Sequence, residues 1–408
     1  MNRKTLLAFF LILFLLATAT PHPVQKSSQP AATPATVSIP FELVIRHIVV
    51  GVMIDNSRPL SFVFDTGDKV AIVDSDLAKD LGLKLEGQIN VGGTGSDFLR
   101  GSFVKESTWT LPGVAGFSQP VMLALPLRRL AARFGHDFDG IIGSDFIKRY
   151  VVEVDYAARK LVLHDKDKFS YSGPGESIPI EFDHQGHPLI EAEIIPLGGA
   201  SIKRRFVLDL GSGGGLALHS PFVTEHQLLS PTLKTIRAIG AGGAGGQSVG
   251  RIGRISELKI GKFRIASPTV LFSEDKAGAF ANESLAGNIG QQVASKFKLY
   301  LDYEHARIIL EPAATFNEPF AKASSGLALM GEGVGYSTLR VIDVLENSPA
   351  SEVGLQKDDV ITKVNDKLAS ELTITKLSEM FERSVPYKLT IQRGDRTLQV
   401  TLRPRKLV

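Results

Sequence analysis

After a Pro-, Ser-, Ala- and Thr-rich stretch from Pro21 to Pro34, apolar residues come in short runs broken by Gly, Pro, Asn and Asp. Phe41-Glu42-Leu43-Val44-Ile45, Val151-Val152-Glu153-Val154-Asp155 and Lys160-Leu161-Val162-Leu163 are examples. Runs rich in β-branched and aromatic residues and bounded by turn formers predict strands. Helical periodicity is confined to brief pieces such as Asp74 to Leu81. The expected class is mainly β.

The runs repeat. Phe62-Val63-Phe64-Asp65-Thr66-Gly67 matches Phe206-Val207-Leu208-Asp209-Leu210-Gly211, and Asp139-Gly140-Ile141-Ile142-Gly143-Ser144 matches Ala286-Gly287-Asn288-Ile289-Gly290-Gln291. Each pair is followed by the same ending, Val152 to Leu161 in one copy and Leu299 to Ile308 in the other. Between the first two blocks each copy holds a glycine-rich turn, Gly92-Gly93-Thr94-Gly95 and Gly240 to Gly246. Landmarks recurring in one order at similar spacing imply internal duplication, hence two β lobes at 38–168 and 175–313.

A third segment, 323–405, has its own pattern. Leu339 to Val344 and Asp359 to Val364 read as strands, and Ser348-Pro349-Ala350 starts a short helix that Gly354 ends. Thr373 caps a helix whose apolar positions Ile374, Leu377 and Phe381 share a face. A hairpin turning at Gly394-Asp395 closes the segment, giving an α+β module.

At 408 residues, 43% hydrophobic and +3 in formal charge, the chain is expected to hold two or three packed domains. Without a basic block interleaved with aromatics, no nucleic-acid partner is expected. There are no cysteines, which excludes disulfides, thiolate catalysis, Cys-ligated zinc and a lipidated cysteine. Asn2-Arg3-Lys4, the apolar run Leu6 to Ala17 and the small residues Ala17-Thr18-Ala19 read as a signal peptide over 1–19, followed by a linker over 20–37. The run is short for a spanning helix, which needs roughly 20 residues. Export to a periplasm or the exterior is therefore expected, with no membrane span after cleavage; an uncleaved N-terminal anchor is the alternative.

Asp65 and Asp209 each end an apolar strand and precede a loop glycine, Gly67 and Gly211, which permits a tight turn with N–H groups aimed at the carboxylate. One such aspartate alone could merely cap its turn. Two equivalent copies, brought together by pseudo-twofold packing, would share one proton, because adjacent carboxylates do not both ionise readily. Such a pair can deprotonate a water and protonate a leaving amine.

Asp65-Thr66-Gly67 resembles the active-site motif of aspartic proteases. Ile141-Ile142-Gly143 and the less apolar Asn288-Ile289-Gly290 resemble the element that packs behind that motif. The duplicated layout resembles a single-chain form of the retroviral-type dimer more than pepsin. The resemblance implies a bilobal pepsin/retropepsin-like acid protease fold and an aspartic-type endopeptidase acting as a monomer on peptide or protein substrates. It makes Asp65 and Asp209 catalytic, Thr66, Gly67, Gly211 and Ser212 loop supports, and Gly92, Gly93, Gly242 and Gly243 parts of flaps. No metal or organic cofactor is implied. Leu210 departs from the pattern, standing where a Thr or Ser hydroxyl normally braces the two loops, and Asp68 adds a carboxylate beside the pair. A peptide-binding protein without catalysis is therefore the alternative.

The third segment resembles a PDZ domain of the kind attached to bacterial exported proteases, through Asn347-Ser348-Pro349-Ala350, Gly354-Leu355 and Asp358-Asp359-Val360-Ile361, with Asp358 where Gly is usual. Ser325, Gly326, Leu327, Ala328 and Leu329 resemble the loop that captures a peptide C-terminal carboxylate, which implies a C-terminal peptide ligand. Other signals carry less. Gly240 to Gly245 fits a dinucleotide-binding GxGxxG but opens no helix. His184 and His187 have no supporting ligand cluster and read as surface histidines. Asn282-Glu283-Ser284 and Arg393-Gly394-Asp395 are short matches in turn sequence.

Overall fold

The computed structural model describes residues 36–408 except 96, 239–241, 244 and 321–323. The expected signal peptide and nearly all of the linker lie outside the described residues. Strands dominate throughout. The first of them, Thr36–Pro40, begins inside the expected linker, because Val37 and Ile39 turn inward and are buried as the strand pairs with Lys160–His164.

In the first repeat, an eight-stranded sheet runs in the spatial order Glu42–Val44, His47–Ile54, Leu60–Phe64, Gly140–Ile142, Ile72–Asp74, Val114–Leu125, Phe98–Leu111 and Leu85–Gly92. Its centre is the strand before Asp65. Phe62 and Phe64 are fully buried, and Phe62 meets Trp109 edge-on at 5.1 Å. This strand runs parallel to Gly140–Ile142, with Phe62 opposite Gly140 and Phe64 opposite Ile142. A side chain on Gly140 would overlap the Phe62 ring. In the second repeat Phe206–Leu208 runs parallel to Gly287–Ile289, with Phe206 opposite Gly287. The sequence blocks that recur are thus the same pair of strands in both copies. The brief helix read at Asp74 to Leu81 is Ser75–Asp80, with the Asp74 carboxylate accepting from the N–H groups of Asp76 and Leu77.

The recurring endings lie side by side. Val151–Asp155 pairs antiparallel with Phe297–Asp302, setting Val152 against Leu301, Glu153 against Tyr300 and Val154 against Leu299. Glu153 and Tyr300 stand at equivalent positions of the recurring blocks, so in this pairing residue i meets j where j meets i. One hydrophobic core contains Phe64, Ile142 and Phe146 of the first repeat together with Leu208, Leu210 and Ile289 of the second.

At the C-terminal end, the strands Leu327–Glu332, Thr338–Val344, Val360–Val364, Tyr387–Arg393 and Arg396–Leu402 form a sheet in that order, with Lys367–Leu368 at its side. Leu327, Ala328 and Leu329 belong to the first of these strands rather than to a loop; only Ser325 and Gly326 precede it. That stretch pairs in a ladder with Thr338–Val344, with a register shift between Ala328 and Leu329. Helix Pro349–Glu352 starts with a Ser348/Ser351 capping box, and helix Ile374–Phe381 is capped by the Thr373 hydroxyl and buries Ile374, Leu377 and Phe381. Asp358 takes the left-handed conformation at φ 71°, which Asp tolerates better than most residues. Its neighbour Asp359 is buried in a two-pronged ion pair with Arg393 at 2.6 and 2.7 Å.

This module packs on the first repeat. A side-chain atom on Gly135, which ends helix Arg128–Phe134, would lie 2.8 Å from Ile374, and one on Gly331 would lie 3.0 Å from Gly135. Ile45 N–H donates to Thr375 Oγ1 at 3.0 Å, and Arg46 pairs with Glu382. On the other side Arg237 of the second repeat grips Asp343 at 2.8 and 3.0 Å.

Candidate active site

Asp65 and Asp209 leave their strands in the same way. Asp65 N–H donates to Ile142 O at 3.0 Å, and Asp209 N–H donates to Ile289 O at 2.9 Å. Each chain then turns at its glycine. A side-chain atom added to Gly67 would lie 3.0 Å from Asp209 Oδ1 and 3.1 Å from Asp65 Oδ1, and one added to Gly211 would overlap the Asp65 carboxylate. The two acidic groups therefore converge on the same backbone, with oxygens within roughly 6 Å, the range in which like charges shift each other's titration. Both loops need glycine for this approach.

The surroundings differ. Gly67 N–H donates to Asp65 Oδ1 at 2.6 Å, whereas Asp209 Oδ2 accepts from the Asn288 amide at 2.7 Å. Burial pushes the Asp65 carboxyl well above the ordinary aspartate range, helped by the charges of Asp68 and Asp209. Burial also raises Asp209, opposed first by Asn288 and then by the Gly211 backbone. Asp68 is pushed up to about 6 by burial and by the charge of Asp209. Three carboxyls thus share one enclosure, and only Asp209 has a side-chain amide holding its ionised form.

The brace between loops is one-sided, as Leu210 led us to expect, but it is not unsupported. Thr66 Oγ1, fully buried, donates to Leu208 O at 2.6 Å and accepts from Leu210 N–H at 2.9 Å, reaching from the first repeat into the second. Leu210 itself sinks into the core. Its carbonyl accepts from Gln291 Nε2 at 2.7 Å, and Gln291 Oε1 accepts from the Tyr156 hydroxyl of the first repeat at 2.5 Å. A second tie between the repeats thus stands on the side that lacks the hydroxyl.

The glycine-rich turns are hairpin tips. Gly92 ends Leu85–Gly92 opposite Phe98, and Gly242–Gly243 pairs with Gly246–Gln247. Gly240, Ala241 and Ala244 lie outside the described residues. The tips touch: Asp97 N–H donates to Gly245 O at 2.9 Å, and side-chain atoms on Gly243 and Gly245 would each lie 2.6 Å from Thr94. Such backbone-to-backbone approach is what glycine permits.

Four residues that the sequence pattern does not mark also serve the site. Asn288, read as a weakened apolar position, contacts Asp209 directly. Gln291 and Tyr156 lie within the recurring blocks, where Gln291 aligns with Ser144 and its change from Ser to Gln is visible. His187 is no isolated surface residue: half-buried and paired with Asp183 at 2.8 Å, it lies close enough to Asp68 and Asp209 to favour their ionised forms. His184 is exposed. Among the described residues no cluster of three or more His, Asp or Glu has the arrangement of a metal site. A separate groove of about 950 Å³, lined in part by Ser220, Gln227, Asp275 and Glu283, opens elsewhere on the second repeat and includes none of the carboxylates above.

Residues 50–146 match the family model described as aspartyl protease. The match takes in Asp65, the first glycine-rich hairpin and Ile141-Ile142-Gly143, and it supports an aspartyl protease-like domain over those residues. No curated protein matches the chain. No helix among the described residues is long and apolar enough to cross a membrane.

Proposed function

We propose that this chain is an exported aspartic endopeptidase whose catalytic groups are Asp65 and Asp209. The observation that carries the reading is the convergence of both carboxyls on Gly67, from loops of two different repeats. The family match over the first repeat and the local twofold pairing of Glu153 with Tyr300 support a bilobal, single-chain acid protease.

The unequal surroundings of the two groups suggest their roles. Asp65, raised furthest, holds the shared proton; Asp209, steadied by Asn288, is the base. Asp209 takes a proton from a water as its oxygen bonds to the peptide carbonyl carbon, and the Asp65 proton passes to the carbonyl oxygen. The tetrahedral intermediate collapses when Asp209 returns its proton to the leaving nitrogen, the C–N bond breaks, and Asp65 recovers its own from the hydroxyl. The touching hairpin tips act as flaps that open for the substrate backbone and exclude solvent once it is bound. The C-terminal module is a PDZ domain that binds peptide C-termini by strand addition to Leu327–Glu332 beside helix Ile374–Phe381.

Cleavage of a mixed peptide library by the purified protein tests the reading, with Asp65→Asn and Asp209→Asn alongside. Loss of turnover in both variants is expected; retained turnover in either removes the pair as the catalyst. Leu210 favours a second reading, in which the chain binds peptides without cutting them. Saturable peptide binding with no products between pH 3 and 8 would select that reading.

A further inference from the structure

His47 is buried and takes no part in the chemistry proposed above. It starts the strand His47–Ile54, whose Val49 pairs with Val63, two residues before Asp65. His187 precedes the strand Pro188–Ile195, whose Leu189 pairs with Val207, two residues before Asp209. The two histidines therefore occupy the same place in the two repeats. Each faces the opposite repeat's aspartate loop. A side-chain atom on Gly213 would lie 2.9 Å from His47 Cε1 and 3.3 Å from Nε2, and the Gly211 backbone lies near enough to the ring to favour its charged form. On the other side, the turn that carries His187 lies against Lys69, 3.6 Å from a side-chain atom on Gly186, and Lys69 is the positional equivalent of Gly213.

The pair is not symmetric in how it is held. His187 has Asp183. Among the described residues His47 pairs with no carboxylate; its Nδ1 faces Val44 O at 3.2 Å, and its ring lies 4.6 Å from that of Phe134. The turn before it, Ile45–Arg46, has φ of 43° and 68°, a left-handed conformation that a β-branched residue resists. Contacts from one helix of the C-terminal module hold that turn: Thr375 Oγ1 accepts from Ile45 N–H at 3.0 Å, and Glu382, at the helix end, pairs with Arg46. Ile45 O also lies 3.0 Å from where a Gly213 side chain would begin. The strained turn thus touches the C-terminal module on one side and the Asp209 loop on the other.

We propose that His47 is a positioning residue for the Asp209 loop and that the C-terminal module acts on that loop through the Ile45–Arg46 turn. The proposal rests on the assignment of Asp209 as catalytic. Helix Ile374–Phe381, which grips the turn, also flanks the groove assigned to peptide termini, so a ligand that shifts this helix would shift the turn and with it the Asp209 loop.

The test uses the full chain carrying His47→Leu, His47→Gln, or Thr375→Ala with Glu382→Gln. Two measurements are made on each: peptide turnover, and hydrogen–deuterium exchange over residues 209–213 against 65–69. His47→Leu is expected to lower kcat about 10–100-fold with KM within about twofold, the signature of a misplaced reacting group. His47→Gln, which keeps a donor near Gly211, restores most of it. The Thr375/Glu382 pair lowers kcat in the same direction and adds little to His47→Leu. Exchange at 209–213 rises in both His47→Leu and the Thr375/Glu382 pair while 65–69 stays protected. Wild-type kcat and unchanged exchange in His47→Leu overturn the proposal, and so does a Thr375/Glu382 effect that leaves 209–213 untouched. If Asp65→Asn and Asp209→Asn are inactive while His47→Leu is not impaired, this inference fails and the catalytic reading stands. If the aspartate variants stay active, the catalytic reading fails, and the exchange measurement still decides whether the module acts on the loop.

Discussion

Replacing Thr66 by valine tests how the two aspartate loops are held. Valine has nearly the shape of threonine, so no cavity opens and the change isolates the hydroxyl. That hydroxyl is fully buried and serves two backbone groups of the other repeat, Leu208 O at 2.6 Å and Leu210 N–H at 2.9 Å. A buried hydrogen bond contributes about 0.5–1.5 kcal/mol net, and a partner left without one costs about 1–3 kcal/mol. Two such groups at a dry interface put the expected loss at about 2–4 kcal/mol. At about 2.1 cal/mol/K of unfolding entropy per residue, a chain of 408 residues shifts by about 1 °C per kcal/mol, so Tm should fall by about 2–5 °C. Urea unfolding gives the same quantity as a shift in midpoint at constant m-value. Thr66→Ser keeps both bonds and loses only a methyl, so it should cost about 0.5–1.5 kcal/mol. A Thr66→Val protein within about 0.5 kcal/mol of the wild type, or a serine variant as damaged as the valine one, would refute the brace.

Gln291→Leu removes the donor to Leu210 O and the acceptor of Tyr156, and should cost about 2–3 kcal/mol in urea unfolding, with Tyr156→Phe costing about 1 kcal/mol. Asp68 binds its proton more tightly folded than unfolded, so it subtracts stability as pH rises from its ordinary 3.8 to about 6; Asp68→Asn should match the wild type below that window and exceed it above, as a pH series of unfolding midpoints would show. Gly245→Ala places a methyl 2.6 Å from Thr94 O, parting the hairpin tips; kcat/KM should drop by about tenfold with little change in Tm. Arg393→Met strands the buried Asp359 carboxylate and should destabilise the C-terminal module by about 3–5 kcal/mol, seen in calorimetry as an early transition separate from the rest.

Much of the local structure was legible because its causes are local. Strand runs, the Asp74 and Thr373 caps and the glycine turns follow from side-chain period and turn chemistry over a few residues, and the mainly β class follows from them. The recurrence of motifs has a different reason: equal local demands, an apolar strand before each aspartate and a small residue opposite each Phe, select equal residues at equal spacing. Leu327 to Leu329 resemble a loop in sequence but join a ladder, because Thr338–Val344 pairs with them and nothing in their own residues encodes that partner.

What the chain itself determined is therefore two copies of a carboxylate set at the end of a buried strand beside a glycine, in a protein without cysteine. The tertiary structure alone decided which polar groups serve them. Asn288 reaches Asp209 from 79 positions away, Gln291 reaches Tyr156 from 135, and Thr66 reaches Leu208 from 142. No short-range pattern encodes such pairs. Packing one repeat against the other forms the last two, and neighbouring strands of the second repeat form the first; in each case a buried polar group has to find its partner wherever the fold has brought one.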